Sequence, residues 1–325
     1  MGARWMVGAM AVALGVVGCA GEGFSEAEST TRSRVAELAS PNGRNINGRN
    51  INGRNINGTE LGGVLVSVNL ADVYGSAVAD DPMGSVWLQG SVFHGYEAGQ
   101  YRAGMDFVGA RFTGNLGDGT TLQLRVDDVQ PDASPTGDVW TYGVSFLDTV
   151  DGVWKPVCPA EDGSALRAIP VMGRWDYRQG VPGEGGAKVE DSSVFTFACE
   201  EGAIAKCVRF GYRPWAQTAD GRSLADHHQA CTRMVRADFC GDGTSYTQDG
   251  NWVNLYDAVG VQTDTEGWLP EAEWTPAGAR CITQDTRAQV PVSCPSLATL
   301  SDCGAKTHFR AGAFLMSEVP PSATP

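Results

Sequence analysis

A thiol and an imidazole lie three residues apart in the second half of the chain, a pairing that occurs in cysteine-dependent enzymes. Cys231 would be the nucleophile and His228 the base, because a neighbouring imidazole activates a thiol. Residues this close on one helix face do not easily reach the in-line geometry that the reaction needs. An even number of cysteines remains after Cys19, which favours disulfides over a free thiol. We therefore predict no catalytic residue.

Two histidines and two aspartates in the same region are the candidates for a metal site. They are Asp226, His227, His228 and Asp238. The pattern His-Glu-x-x-His does not occur, and adjacent histidines on a helix point about 100° apart. We therefore interpret these residues as a solvated polar face. The cysteine spacings include no Cys-x-x-Cys pair, which argues against structural zinc.

An oxygen-rich loop near these histidines is a candidate for calcium. Asp238, Asp242, Thr244 and Asp249 alternate with glycines, and calcium takes about six to eight oxygen ligands in flexible geometry. The spacing differs from the EF-hand pattern, and Asp-Gly turns explain the same residues equally well. Both interpretations stay open, and no cofactor is predicted.

Four aromatic residues are candidates for binding a glycan, because their rings combine large apolar faces with polar edges. They are Trp215, Tyr246, Trp252 and Trp268. An exposed groove formed by the four would support glycan binding, whereas burial of all four would indicate a scaffold.

The amino-terminal segment has the pattern of a bacterial lipoprotein signal peptide over residues 1–18. Arg4 precedes an apolar run at residues 5–17, and Cys19 follows. The run is shorter than the about 20 residues that a membrane span requires. We expect cleavage before Cys19 and lipidation of this residue. Ala20 follows, and no aspartate signals retention at the inner membrane, so we expect an exported protein anchored at the outer membrane.

The eight remaining cysteines all lie after residue 150. In an oxidising compartment they are expected to form four disulfides. From among the possible pairings we predict Cys158–Cys199, Cys207–Cys231, Cys240–Cys281 and Cys294–Cys303.

The overall charge excludes one class of partner. The net charge is −14, whereas proteins that bind nucleic acid carry clustered Lys and Arg. The 42 glycines and 16 prolines separate short Val-, Thr-, Tyr- and Phe-rich runs, which is typical of a β-rich, loop-rich protein.

Two segments separate the signal from the folded part. Residues 19–41 are rich in Ser, Thr, Glu, Ala and Gly and predict a flexible tether. Residues 42–63 contain three exact copies of Arg-Asn-Ile-Asn-Gly, beginning at Arg44. This period resembles pentapeptide-repeat proteins, although arginine occupies an inward position of the coil, where its burial would be costly. A short cap on the following sheet and a flexible spacer both stay open.

Residues 64–150 predict a β-sandwich or barrel. Short runs such as 121–126 alternate apolar and polar residues, and Asp-Gly turns separate them. Residues 151–290 predict a disulfide-rich part, and residues 291–325 a Pro-rich tail. The predicted fold class is mainly β with short helices.

Two segments of the disulfide-rich part predict helices. Residues 202–210 and 223–239 each place apolar residues on one face. A bridge from Cys207 to Cys231 would lock the two helices together.

Four strings in order along the second half resemble the ADYC domain, a bacterial extracytoplasmic family without an assigned activity. They are Gly-Arg-Trp-Asp at 173–176, Phe-Thr-Phe-Ala-Cys at 195–199, the segment 202–215 and the segment 228–243. Phe239 stands where the family name has tyrosine, which argues against phenol chemistry there. The resemblance covers roughly residues 150–285 and implies no mechanism.

These observations favour a lipid-anchored cell-envelope protein with a structural or binding role. Its expected partners are the membrane, through the lipid, and an envelope glycan or protein, with no nucleic acid. The alternative is an extracytoplasmic hydrolase acting on glycan or peptide. A concave pocket with two or more desolvated ionisable groups would favour the hydrolase.

Overall fold

Antiparallel strands make up most of the described chain. The computed structural model describes the backbone of residues 44–46 and residues 65–75, 82–133, 136–160, 163–248, 250–288, 290–304 and 309–321. The predicted signal peptide, Cys19, the tether, and the predicted repeats apart from the backbone at 44–46 lie outside the described residues.

The strands are β1 (Arg44–Ile46), β2 (Leu65–Asn69), β3 (Trp87–Gln89), β4 (Val92–Glu97), β5 (Gln100–Ala103), β6 (Arg111–Leu116), β7 (Thr121–Pro131), β8 (Trp140–Leu147), β9 (Trp154–Pro156), β10 (Ala168–Met172), β11 (Arg174–Trp175), β12 (Lys188–Val189), β13 (Val194–Cys199), β14 (Asn251–Asp257), β15 (Leu269–Thr275), β16 (Gly278–Ile282) and β17 (Leu315–Val319). The helices are α1 (Ala203–Arg209) and α2 (Ala225–Arg236), with 3-10 turns at Gly104–Phe107 and Pro295–Thr299. The mainly β fold class with short helices is confirmed.

Six strands close into an antiparallel barrel. Their order is β10-β13-β2-β6-β7-β8, and β10 pairs with β8 where Ala168 faces Tyr142. Along β7 the residues Leu122, Leu124 and Val126 are buried and alternate with more exposed residues, as the period of two requires. The barrel-like amino-terminal part is thus confirmed. Two of its strands follow residue 150, so the predicted boundary there does not separate two folds.

A three-stranded sheet, β3-β4-β5, packs against the barrel. Its anchor is Phe93, which is fully buried and contacts the rings of Phe112, Tyr142, Phe195 and Phe197. The hydroxyl of Tyr142 also accepts a hydrogen bond from the backbone N–H of Phe93 at 3.3 Å. Aromatic contacts on this scale fix the sheet to the barrel core.

A second sheet has the order β1-β14-β17-β15-β16, and α2 packs on it through a core that includes Met234, Trp274 and Leu315. The segment predicted as a Pro-rich tail is not a peripheral tail. It contributes β17, which lies in the middle of the sheet and has all of its residues buried. The polar residues of β17 have hydrogen-bond partners inside the core. Ser317, for example, donates to Glu271 at 2.7 Å inside the core.

The structure contains the predicted disulfides Cys158–Cys199 and Cys207–Cys231. The other two predicted pairs are wrong, since the bridges are Cys240–Cys294 and Cys281–Cys303. Cys281 lies on β16, where its backbone pairs with Ser301 in an isolated parallel β-bridge. This pairing brings Cys281 close to Cys303. The 3-10 turn Pro295–Thr299 separates Cys294 from Cys303 and carries them to different neighbours.

Across the described ranges, no helix has both the length and the apolar character that crossing a membrane would require.

Candidate functional site

The candidate nucleophile Cys231 forms a disulfide in the structure, as predicted. Cys231 is buried and bridges α2 to Cys207 on α1. Nε2 of His228 lies 3.1 Å from the carbonyl oxygen of Ile204, and burial lowers the pKa of His228 to about 3. This imidazole is therefore neutral at physiological pH and faces no thiol.

The predicted solvated face at His227 and His228 is wrong, because both rings are buried. His227 stacks on Tyr212 at 6.2 Å and meets Phe314 edge-on at 5.0 Å, whereas His228 meets Trp175 at 5.9 Å. Helix α2 is covered on both sides, so its adjacent histidines enter different parts of the core. No group of three or more potential metal ligands occurs among the described His, Cys, Asp and Glu residues.

The proposed calcium ligands are held by protein donors. Asp238 is buried and accepts the backbone N–H groups of Asp242 at 3.1 Å and Gly243 at 3.0 Å. Asp238 also pairs with the guanidinium of Arg233, which fills the position that a cation would need. Asp242 accepts the N–H of Thr244 at 2.9 Å, and Asp249 lies outside the described residues.

The four predicted glycan-binding aromatics do not form one exposed groove. Tyr246 is buried against Phe239, and Trp215 is half-buried with its indole N–H donating to Asp138 at 2.8 Å. Trp252 is exposed on β14, and Trp268 is half-buried before β15. Burial of Tyr246 removes one of the four members of the predicted groove.

The residues at 237–240, which carry the family resemblance, have structural roles. Ala237 adopts a left-handed conformation, with φ of 51°, and ends α2. Asp238 neutralises Arg233 and binds the following turn, whereas Phe239 packs on Trp274 at 5.1 Å. Cys240 then bridges to Cys294. Phe239 thus occupies a core position.

Two side chains of α2 hold a second loop, 176–187, in place. Arg233 donates to the carbonyl of Gly185, and Gln229 donates to the carbonyl of Gly186 at 2.9 Å. A Cβ atom at Gly185 would lie 2.0 Å from the backbone oxygen of Asp242. Only glycine permits this approach, so the 176–187 loop is locked against the turn that Asp238 organises.

This loop forms one wall of a cleft of about 660 Å³. On β11, Trp175 points into the core and its indole N–H donates to Gln229 at 3.1 Å. Because side chains alternate along a strand, Arg174 points the opposite way and lines the cleft. Val66 of the barrel and Val189 of β12 contribute apolar surface. The volume lies in the range of small-molecule sites, about 300–1,000 Å³.

The carboxylates of the cleft are already paired. Arg178 donates to Asp176 at 3.0 and 3.1 Å and also pairs with Glu184. The hydrogen bond from Arg178 lowers the pKa of Asp176, which keeps this group ionised and unsuited to act as a general acid. The side chain of Arg174, in contrast, makes no hydrogen bond or ion pair within the described ranges. Its charge acts on Asp176 and Asp191 only at longer range.

Arg174 lies within the string 173–176, but the sequence alone assigned it no role. The neighbouring tryptophan was the available signal. Side chains alternate along a strand, so a buried Trp175 places Arg174 on the opposite, solvent-facing side. What the sequence could not show is that the barrel and the 176–187 loop enclose that side.

The comparisons with known proteins agree with this architecture. The profile of the ADYC domain family matches residues 104–288, a span that includes most of the barrel, the cleft and α2. No curated protein and no solved structure matches the chain. Since the matched span covers more than half of the sequence, the chain belongs to the ADYC domain family.

Proposed function

We propose that the chain is a lipid-anchored cell-envelope protein with a binding role, and that the cleft lined by Arg174 receives a small ligand with one carboxylate. The observation that carries the proposal is a half-buried guanidinium that faces a cleft without an ion-pair partner in the described chain. A guanidinium presents planar donors that match a carboxylate in bidentate geometry.

The charge of the ligand follows from the surroundings of Arg174. Asp176, Glu184 and Asp191 lie on nearby segments, and the chain carries a net charge of −14. A polyanion would be repelled by this field, whereas a single carboxylate matches a single guanidinium. Val66 and Val189 favour an apolar body next to that carboxylate.

Binding is favoured over hydrolysis by the state of the ionisable groups. Asp176, whose pKa is lowered, and Glu184 are both engaged by Arg178. A hydrolytic pair would need one carboxyl with a raised pKa to supply a proton. Cys231 and His228 are committed to the core, as described above.

The anchor is supported by the sequence around Cys19 and by the four disulfides. Disulfides persist in oxidising compartments outside the cytosol, which fits export by a signal peptide. Labelling cells with a fatty-acid analogue tests the anchor. The unmodified sequence should be labelled and Cys19→Ser should not, and equal labelling of both would contradict lipidation.

The cleft is tested by titrating the detergent-solubilised full chain with N-acetylphenylalanine and with its amide. These probes share an apolar body and differ in the carboxylate. We expect the acid to bind at least about tenfold more tightly than the amide, and Arg174→Gln to remove that difference. Arg222→Gln is the matched control, because Arg222 does not line the cleft, is paired with Asp220 and is 57% exposed. Equal affinity of acid and amide would contradict the proposal.

A further inference from the structure

The three-stranded sheet β3-β4-β5 presents an aromatic surface on the side away from the barrel. In its register Trp87 lies opposite His94, and Tyr96 lies opposite Tyr101. Directly opposed residues share a face of an antiparallel pair. These four residues therefore lie on one face, here named the outer aromatic face, whereas Phe93 points into the barrel core.

The four rings form one continuous cluster. Trp87 lies 5.6 Å from His94, 6.1 Å from Tyr96 and 6.5 Å from Tyr101 between ring centroids. His94 and Tyr101 stack at 5.9 Å, and their Nδ1 and hydroxyl atoms form a hydrogen bond of 2.5 Å. Tyr96 is 45% exposed and Tyr101 is 54% exposed. Large aromatic side chains with this exposure in one cluster mark an interaction surface.

The outer aromatic face carries no formal charge at neutral pH. Besides the four rings, its positions on the three strands are Gln89, Val92 and Ala103. The charged residues of the sheet, Glu97 and Arg102, alternate to the other side and pair with each other at 3.1 Å. Burial lowers the pKa of His94, so its imidazole is neutral. An uncharged surface on a chain of net charge −14 selects against ionic partners.

The ring edges are polar, which separates two classes of uncharged partner. The hydroxyls of Tyr96 and Tyr101 and the imidazole of His94 lie at the borders of the apolar ring faces. His94 and Tyr101 already share one hydrogen bond, but an apolar peptide or acyl chain would bury the Tyr96 hydroxyl and the second ring nitrogen of His94 without partners from the ligand, at a cost in free energy. A sugar offers apolar C–H faces to the rings and hydroxyls to their edges. The chemistry of the surface therefore fits a saccharide.

The surface is rigid before any ligand arrives. Phe93 is fully buried and fixes β4, and one two-residue turn, Ala98–Gly99, with positive φ at both residues closes the β4–β5 hairpin. Such turns match the twist of the strands that they join. Binding to a preorganised surface avoids the entropy cost of ordering it.

We propose that the outer aromatic face binds a neutral glycan through stacking on Trp87, Tyr96 and Tyr101. This site is separate from the Arg174 cleft in ligand chemistry and in the residues that form it. It replaces the groove that the sequence had predicted from Trp215, Tyr246, Trp252 and Trp268.

The test is a titration of the detergent-solubilised full chain, followed by tryptophan fluorescence, with neutral hexasaccharides. Cellohexaose, maltohexaose and chitohexaose are the probes, and polygalacturonate is the charged comparison. We expect at least one neutral hexasaccharide to bind and polygalacturonate not to bind. Tyr96→Ala and Tyr101→Ala should each weaken binding about tenfold or more.

Two control variants and a folding check keep the test decisive. Trp252→Ala removes an exposed tryptophan elsewhere, 51% exposed on β14, and should leave the affinity unchanged. Arg174→Gln should also leave it unchanged, which separates this proposal from the cleft. Tyr96→Ala and Tyr101→Ala alter exposed side chains, so thermal melting should show that both variants fold.

Two results would overturn the proposal. One is the absence of saturable binding of all three neutral hexasaccharides, and the other is binding that Tyr96→Ala and Tyr101→Ala leave intact. Sedimentation of the chain provides an alternative outcome, because self-association that Tyr101→Ala abolishes would assign the surface to a second copy of the chain instead.

Discussion

Replacing Asp238 with alanine should destabilise the fold strongly, although no substrate contact is involved. The carboxylate is fully buried and is the ion-pair partner of Arg233, whose side chain is 1% exposed. Removing one member of a buried pair leaves an uncompensated charge and costs about 3–5 kcal/mol. The variant also leaves the N–H groups of Asp242 and Gly243 without their acceptor. We therefore expect a loss of at least about 3 kcal/mol in the free energy of unfolding.

The measurement is urea unfolding of the exported, oxidised protein, followed by tryptophan fluorescence. Asp220→Ala is the matched control, because Asp220 pairs with Arg222 on the surface, where the side chains are 59% and 57% exposed. An exposed pair of this kind contributes little to stability, because water and salt screen it. If Asp238→Ala costs no more than Asp220→Ala, the structural role assigned to the 237–240 segment is refuted.

A double substitution isolates the charge from the shape. Arg233→Met removes the cation that Asp238→Asn would leave unpaired, so the double variant should lose less stability than the sum of the two single variants. A coupling of about 0.5–3 kcal/mol is expected for residues in direct contact. Additive losses would show that the two charges do not stabilise each other, and the loop contacts of Arg233 would then account for its whole effect.

Two further predictions concern α2. The pKa of His228 falls from 6.5 to about 3 on folding, so the unfolded chain binds a proton first as the pH drops. Stability should fall by about 1.4 kcal/mol per pH unit below pH 6.5. The urea midpoint of His228→Gln should therefore vary less between about pH 6 and pH 4 than that of the unmodified protein, and an equal variation would contradict this assignment. Replacing both Cys207 and Cys231 with alanine opens a loop of 24 residues in sequence separation and should cost about 3.5 kcal/mol. A loss below about 1 kcal/mol in urea unfolding would exclude a stabilising cross-link.

The sequence predicted those parts of the fold that local patterns encode. The alternation at 121–126 predicted β7, and apolar faces at 202–210 and 223–239 predicted α1 and α2 within a few residues. Barrel closure was not predictable in detail, because the pairing of β2 with β13 joins residues more than 120 positions apart. The position of β17 was missed for a related reason. Its Ser317 and Glu318 have polar partners within the core, and a buried polar strand has no hydrophobic pattern.

The site was less predictable than the fold. The even number of cysteines predicted a disulfide at Cys231, and its partner Cys207 lies on the neighbouring helix. Spacing suggested that His227 is solvated, whereas contacts from Tyr212 and Phe314 bury it. The missing information concerned which elements cover each face of α2. Arg174 shows the converse case, because its outward direction follows from the strand but its cleft depends on a distant loop.

The two proposed sites differ in their relation to the family. Arg174 and the 176–187 loop lie inside the matched span 104–288, together with the Asp238 scaffold that holds the loop. The outer aromatic face, from Trp87 to Tyr101, precedes that span. The side chains of the 237–240 segment pack in the core, pair with Arg233 or form a disulfide. A binding function shared by the family would therefore be sought in the cleft, whereas glycan binding through the outer aromatic face would be a property of this chain.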